Sequence, residues 1–242
     1  MRRIINSVIA FAVLLLIGLG IMEIQRFQEL EDMSNEIKEL VVKVPEEENP
    51  EGADPEDPFE RRIDFETLQQ INPHIKGWIY IPGTKIDYPV LAGEEYLNRD
   101  MYGGKSSLGS IFTYADVDLQ NDSIVRIYGH NMISMQMFGC IKKYADQEFA
   151  DAHATMYLYT PERTKECRLI SGIGCRYDDR IFTVVPDDID AYARELKERS
   201  VVTAELPEEN WQIYTLGSCR GYSGTPNRFA ASFSVIREKI VL

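Results

Sequence analysis

The chain has 242 residues, a formal net charge of −13, and 44% hydrophobic against 27% charged side chains. That is enough apolar material for a packed domain and excludes global disorder; 16 glycines and 11 prolines are too few for a collagen-like or low-complexity array. An acidic surface does not suit a phosphate backbone, so nucleic acid is excluded as a partner.

The charge is concentrated near the N-terminus. Residues 23–60 hold fourteen acids against three bases, which leaves residues 61–242 nearly balanced. Ahead of them, Met1-Arg2-Arg3 precedes an apolar run from Ile4 to Met22, interrupted only by Asn6, Ser7 and two glycines. At about 1.5 Å per helical residue this run spans roughly one bilayer hydrocarbon core. No small-x-small cleavage site follows it, so an uncleaved signal-anchor is expected at 4–22. The two arginines place residues 1–3 in the cytoplasm and everything after Met22 outside. Leu30, Met33, Ile37, Leu40 and Val44 then recur at spacings of 3, 4, 3 and 4. This predicts a short helix packed on its own domain rather than a long coiled coil. From Pro45 to Pro58 the chain is Glu, Asp and Pro with almost nothing to bury, an extended spacer. Residues 23–60 are thus read as an acidic stalk, and 61–242 as the folded domain.

Within that domain Asp64-Phe65-Glu66-Thr67 predicts a capped helix with Leu68 and Ile71 on one face, ended by Asn72-Pro73. Strand signals follow at 77–81, 86–90, 110–113, 123–128, 156–159 and 166–173, and later at 211–215 and 229–235. Pro82-Gly83 and Ala92-Gly93 mark turns. Asp187 to Arg199 carries a capping acid and Ile189, Tyr192 and Leu196 at helical spacing. The fold class is therefore mainly β: a single closed barrel of eight strands, with an N-terminal helix and one helix before the penultimate strand. Closure removes exposed strand edges.

The chemistry-bearing residues are few. Of three histidines, His74 and His153 read as a surface and a helix-end residue, while His130 closes a strand in Tyr128-Gly129-His130-Asn131. The four cysteines are Cys140, Cys167, Cys175 and Cys219. An outside location permits a disulfide, with Cys167 and Cys175 the nearest pair in sequence, but three buried reduced thiols are expected instead. The spacings offer no metal site, and no cofactor is expected. Cys219 ends a strand in Thr215-Leu216-Gly217-Ser218-Cys219, and Arg228 opens the next strand nine residues later. A thiol between an imidazole and a guanidinium has the electropositive surroundings that favour thiolate, the species that attacks an acyl carbon.

Tyr-Gly-His-Asn, then Thr-Leu-x-Ser-Cys with the thiol 89 residues beyond His130, then Arg-Phe on the following strand, resembles the sortases. Asn72-Pro73-His74-Ile75-Lys76-Gly77-Trp78-Ile79, Ile86-Asp87-Tyr88-Pro89-Val90, Tyr96-Leu97-Asn98-Arg99-Asp100 and Gly109-Ser110-Ile111-Phe112 are similar to segments of the class B type, as is the helix at 187–199. The resemblance spans residues 60–236. It implies a sortase-like barrel on the outer face of a Gram-positive membrane that acts as a cysteine transpeptidase. Cys219 would attack after the threonine of a C-terminal sorting signal on a surface protein. His130 would serve as acid and then base, and Arg228 would hold the substrate or the oxyanion. The acceptor would be an amino group of a cell-wall precursor or a pilin. Leu97, Asn131 and Ser218 are the substrate-binding candidates. Ser218 stands where the family usually has threonine, Arg220 is an unexpected base beside the thiol, and Arg220 and Arg237 are the reserve arginines. A secreted cysteine hydrolase and a tethered, non-catalytic wall-binding barrel are the alternatives.

Overall fold

The computed structural model describes residues 2–43, 57–209, 212–219 and 226–241. The chain forms two compact units, residues 1–41 and residues 42–242. The first is a single helix, α1 (Arg2–Val41), forty residues long, in which Leu14, Leu16 and Ile17 are among many exposed apolar side chains. The seam residues Leu30, Met33, Ile37 and Leu40 belong to this same helix. Among the described residues no helix is long and apolar enough to cross a membrane; the side chains of Ile4, Ile5, Ser7, Val8 and Ala10 in the apolar run lie outside the described ones. The predicted spacer from Pro45 falls on residues 44–56, also outside them.

The second unit opens with two short strands that pair antiparallel, β1 (Val42–Lys43) and β2 (Arg62–Ile63). Between them Asp57 caps a 3-10 turn, Pro58–Glu60, by accepting from the Phe59 amide at 2.9 Å. Phe59 is buried under the Arg237 guanidinium, 3.9 Å from its ring, and Tyr159 donates to the Pro58 carbonyl at 2.7 Å. Helix α2 (Phe65–Ile71) begins as its sequence predicts, with Asp64 Oδ1 accepting from the Thr67 amide. Strands β3 (Ile75–Tyr80), β4 (Asp87–Ala92), β5 (Ile111–Thr113) and β6 (Ile124–Gly129) follow, with a 3-10 turn, Glu94–Asn98, after β4. A further turn, Ile141–Ala145, and helix α3 (Gln147–Ala152) lead into β7 (Thr155–Tyr159) and β8 (Arg163–Arg176). Helices α4 (Arg180–Thr183) and α5 (Ile189–Arg199) cross to β9 (Ile213–Cys219), and β10 (Asn227–Ile240) ends the barrel.

The eight strands close in the order β10-β8-β7-β3-β4-β5-β6-β9, so the expected barrel is the observed one. Two neighbouring pairs, β4–β5 and β6–β9, are parallel and the rest antiparallel. Period-two alternation sorts the side chains. Ile79, Val90, Val125, Ile127, Leu158, Tyr214, Leu216, Phe229 and Phe233 fill the interior cluster. Each such burial contributes about 1.5–3 kcal/mol. The opposite faces of β6, β8, β9 and β10 contribute Ile124, Ile170, Ile173, Ile213 and Ala230 to an outer cluster that α5 covers with Tyr192, Ala193 and Leu196. Asp188 caps α5 by accepting from the Ala191 amide at 2.9 Å.

Three strands clearly exceed their sequence signals, among them β10, which runs over Asn227–Ile240 against an expected 229–235. β8 runs from Arg163 rather than Glu166 because its charged residues pair across to β10, as Arg163 does with Glu238 at 2.5 Å. β9 begins at Ile213 and continues to Cys219; Trp211 lies outside the described residues. Cys140, Cys167 and Cys175 are reduced, but only Cys140 and Cys167 are buried, which corrects the expectation for Cys175. Cys167 and Cys175 sit eight residues apart along the one strand β8, roughly 26 Å at strand rise, far beyond disulfide reach.

Candidate active site

Strand register brings the three candidates to one end of the barrel. Parallel pairing of β6 with β9 sets Gly129 beside Ser218, so His130 and Cys219 follow at the same level. Antiparallel pairing of β9 with β10 sets Cys219 directly opposite Arg228, and β8 adds Cys175 opposite Arg228 on its other side. His130, Cys219, Arg228 and Cys175 thus form one row across four adjacent strands. Neighbouring strands lie about 4.8 Å apart, so the backbones of the first three span about 10 Å.

The imidazole is held by the turn after β4. His130 Nε2 lies 2.7 Å from the Leu97 carbonyl oxygen, which can only accept, so Nε2 carries the hydrogen and the neutral ring keeps Nδ1 as its acceptor. The Leu97 side chain is 39% exposed. Its turn is tied down by Tyr96, whose hydroxyl oxygen accepts from Asn72 Nδ2 at 2.8 Å and lies 3.0 Å from His74 Nδ1. Gly109, at φ +59°, passes so close that an added Cβ would lie 2.3 Å from the Leu97 oxygen.

The loop after His130 is fastened from both sides. The Phe138 amide donates to the His130 carbonyl at 2.9 Å, and Ser218 Oγ donates to the Phe138 carbonyl at 3.1 Å. Met135 and Met137 adopt left-handed backbone here, at φ 65° and 49°, a conformation that costs about 1–2 kcal/mol per non-glycine residue. Asn131 bridges to Met137, and its Oδ1 is buried without a protein hydrogen-bond partner among the described residues. Ser218 is 1% exposed. Its hydroxyl braces the His130 loop through Phe138.

Arg228 donates from Nη1 to the Asn227 carbonyl at 3.0 Å and lies 6.0 Å from the centroid of the Tyr177 ring, which is 57% exposed. Arg237 is not an alternative: it sits nine residues further along β10, bonded to Glu166 at 2.6 Å. Arg220 lies outside the described residues, as does the Cys219 side chain. His74 is half exposed, and His153, the C-cap of α3, bonds the Pro82 carbonyl at 2.9 Å; neither lies in the row. Among the described residues no group of three or more His, Cys, Asp or Glu is arranged to hold a metal ion. The Leu97 and Phe138 carbonyls escape a sequence reading because they are main-chain groups, which no side-chain pattern announces.

No family model matches the chain. Sortase B of Listeria monocytogenes is 30% identical to it over 190 residues, which cover 75% of this chain and 76% of the relative. The chain belongs to the sortase B family. The barrel of this sortase also superposes on solved relatives. A Staphylococcus aureus sortase B–substrate complex matches with a TM-score of 0.66 and 27% identity, covering 72% of this chain and 84% of that one. A sortase B complexed with triglycine matches with a TM-score of 0.65 and 28% identity over 72% and 85%. The enzyme is accordingly a cysteine transpeptidase of the sortase type.

Proposed function

We propose that this sortase is a membrane-anchored enzyme of the cell surface that cleaves a C-terminal sorting signal after threonine and joins the released carbonyl to an amine. The nucleophile is Cys219. The thiol gives its proton to His130, the thiolate attacks the threonine carbonyl carbon, and the resulting oxyanion is stabilised by the Arg228 guanidinium and backbone N–H groups. Collapse breaks the C–N bond, with His130 delivering a proton to the leaving amine, and leaves a thioester on Cys219. An incoming amine then gives its proton to His130 and attacks the thioester. The products are a new amide and free Cys219.

The observation that carries this reading is the row itself: an imidazole-bearing residue, a cysteine and an arginine in register on three adjacent strands, with the imidazole tautomer set by the Leu97 carbonyl. Leu97 and Asn131 flank that row and are the substrate-contacting candidates. A sorting-signal peptide and an amine acceptor agree with the complexes of the relatives with substrate and with triglycine. The acceptor here is an amino group of a cell-wall precursor or a pilin lysine. Anchoring rests on the uncharged run Ile4–Met22 behind Arg2 and Arg3, and on exposed side chains such as Phe11, Leu14 and Leu16, which water does not favour in such a long array.

The test is full-length protein in detergent, incubated with a panel of quenched-fluorophore sorting peptides, with and without an amino-terminal glycine peptide. Intact mass is recorded throughout. We expect a thioester adduct on wild type, none on Cys219→Ala, and faster turnover with a transfer product when the amine is added. Turnover that ignores the amine identifies a hydrolase, and an active Cys219→Ala variant rejects the nucleophile.

A further inference from the structure

We propose that Arg126 is a positioning residue for peptide binding, stapling the α4 crossover onto β6 and so fixing the wall beside the row that carries His130, Cys219 and Arg228. The inference rests on the proposed peptide-transfer reading and goes beyond it by assigning a residue that touches none of the reacting groups.

Alternation along β6 sends Val125 and Ile127 into the barrel and leaves Arg126 and Tyr128 on the outer face, the face on which Ile124 packs against α5. From there Arg126 Nε donates to the Ile181 carbonyl at 2.7 Å, and Nη2 donates to the Val184 carbonyl. Helix α4 is only four residues long, so its last carbonyls have no partner within the helix. A single guanidinium reaches one of them, that of Ile181, together with the carbonyl of the C-cap residue Val184, which the single ammonium of lysine is poorly shaped to do. The Tyr192 hydroxyl of α5 also donates toward the Ile181 oxygen, at 3.4 Å.

Between the two stapled carbonyls stands Phe182. Its ring centroid is 6.0 Å from that of Tyr128, and an added Cβ on Gly217 would come within 2.9 Å of the Phe182 ring. Gly217 precedes Cys219 by two residues in β9, about 6.6 Å along the strand. The wall therefore reaches the strand one pleat short of the reactive row, and Val184 and Val185, which follow it in the chain, are exposed apolar side chains. An extended peptide with its scissile carbonyl over Cys219 has its neighbouring residues beside this wall. Freed from Arg126, the crossover loses both guanidinium bonds to the floor strand, and its Val184 end is less firmly held, while buried Ile181 and the Arg199–Asp179 pair still anchor the start of α4.

The experiment compares full-length wild type with Arg126→Met, which keeps the stem but removes the donors, and with Arg126→Lys and Phe182→Ala. Three readouts are taken: kcat and KM for a cleaved sorting peptide, the rate of iodoacetamide addition to Cys219, and hydrogen exchange across residues 181–185. We expect Arg126→Met to raise KM about tenfold and speed exchange at 182–185, with kcat and the alkylation rate within about threefold of wild type. Arg126→Lys falls between, and Phe182→Ala gives the same KM signature without touching the guanidinium, so a poorly folded Arg126→Met leaves the idea open to refutation. Unchanged KM and exchange in the variants overturn the proposal, as does a joint fall in kcat and alkylation, which marks general damage. A wild type that forms no thioester with any peptide rejects the transpeptidase reading instead, while the exchange comparison still tests the staple.

Discussion

Arg228 and Lys165 are two cations of this barrel in very different settings. Arg228 is half-buried beside Tyr177 and lies opposite Cys219 in the β9–β10 register, where the proposed mechanism uses its planar donor fork. Arg228→Lys keeps the charge and loses the fork, so we expect kcat/KM for a sorting peptide to fall at least about a hundredfold with little change in thermal stability. A near-normal rate would remove Arg228 from the oxyanion role. Lys165 is fully buried: Nζ donates to the Gln120 carbonyl at 2.6 Å and to Gln212 Oε1, with Glu238 3.8 Å away. Burial lowers its pKa below the ordinary lysine value, and Glu238 only partly opposes this. Between the lowered value and about 10.5 the unfolded chain holds one proton more than the folded one, so this residue makes stability rise with pH across that window. Urea unfolding of wild type and Lys165→Met at pH 7, 9 and 10 reads the effect: wild type should gain on the variant as pH climbs, and a constant difference would show that Lys165 titrates normally.

At the scale of elements, the turn Glu94–Asn98 couples backbone to chemistry, because its Leu97 carbonyl fixes the His130 ring. Gly109 and Gly103 provide a matched pair to test this. Both have positive φ, +59° and +86°, but a Cβ at Gly109 collides with the Leu97 oxygen, whereas at Gly103 it meets nothing within 4 Å. Both changes to alanine should cost about 1–2 kcal/mol of backbone strain. Only Gly109→Ala should also lower kcat and alter its pH profile, because it displaces the acceptor that sets the tautomer. Equal effects on kcat would show that Leu97 does not orient His130. The strands themselves were readable because β-branched and aromatic residues alternate between turn signals, as in Ile124–Tyr128 and Phe229–Val235. The start of β8 was hidden because Arg163 and Lys165 look like loop residues until their partners Glu238 and Gln212 are supplied by distant segments. That His130 and Cys219 close strands and Arg228 opens one was legible; their mutual register was not, since it depends on which strands pair. The bond from Ser218 to the Phe138 carbonyl and the reach of Arg126 to α4 were likewise hidden, since both depend on contacts across 80 and 55 residues.

For the whole molecule, closure divides the thiols by accessibility. Burial pushes the Cys140 thiol up to about 11 and Cys167 higher still, so neither is nucleophilic near neutrality. Cys175 is half-buried in the same row as Cys219. Folded enzyme treated briefly with iodoacetamide at pH 7.5 should therefore be labelled at Cys219 first and Cys175 more slowly, with Cys140 and Cys167 modified only after denaturation. Peptide mapping by mass spectrometry checks the order, and early labelling of Cys167 would mean that the barrel opens between β8 and its neighbours. The last strand is what closes it: β10 pairs with β8 on one side and β9 on the other, and it also carries Arg228. Without the fourteen residues of β10 the wall has a gap between β8 and β9. Sealing the wall and setting Arg228 opposite Cys219 are thus one event, performed by a single strand.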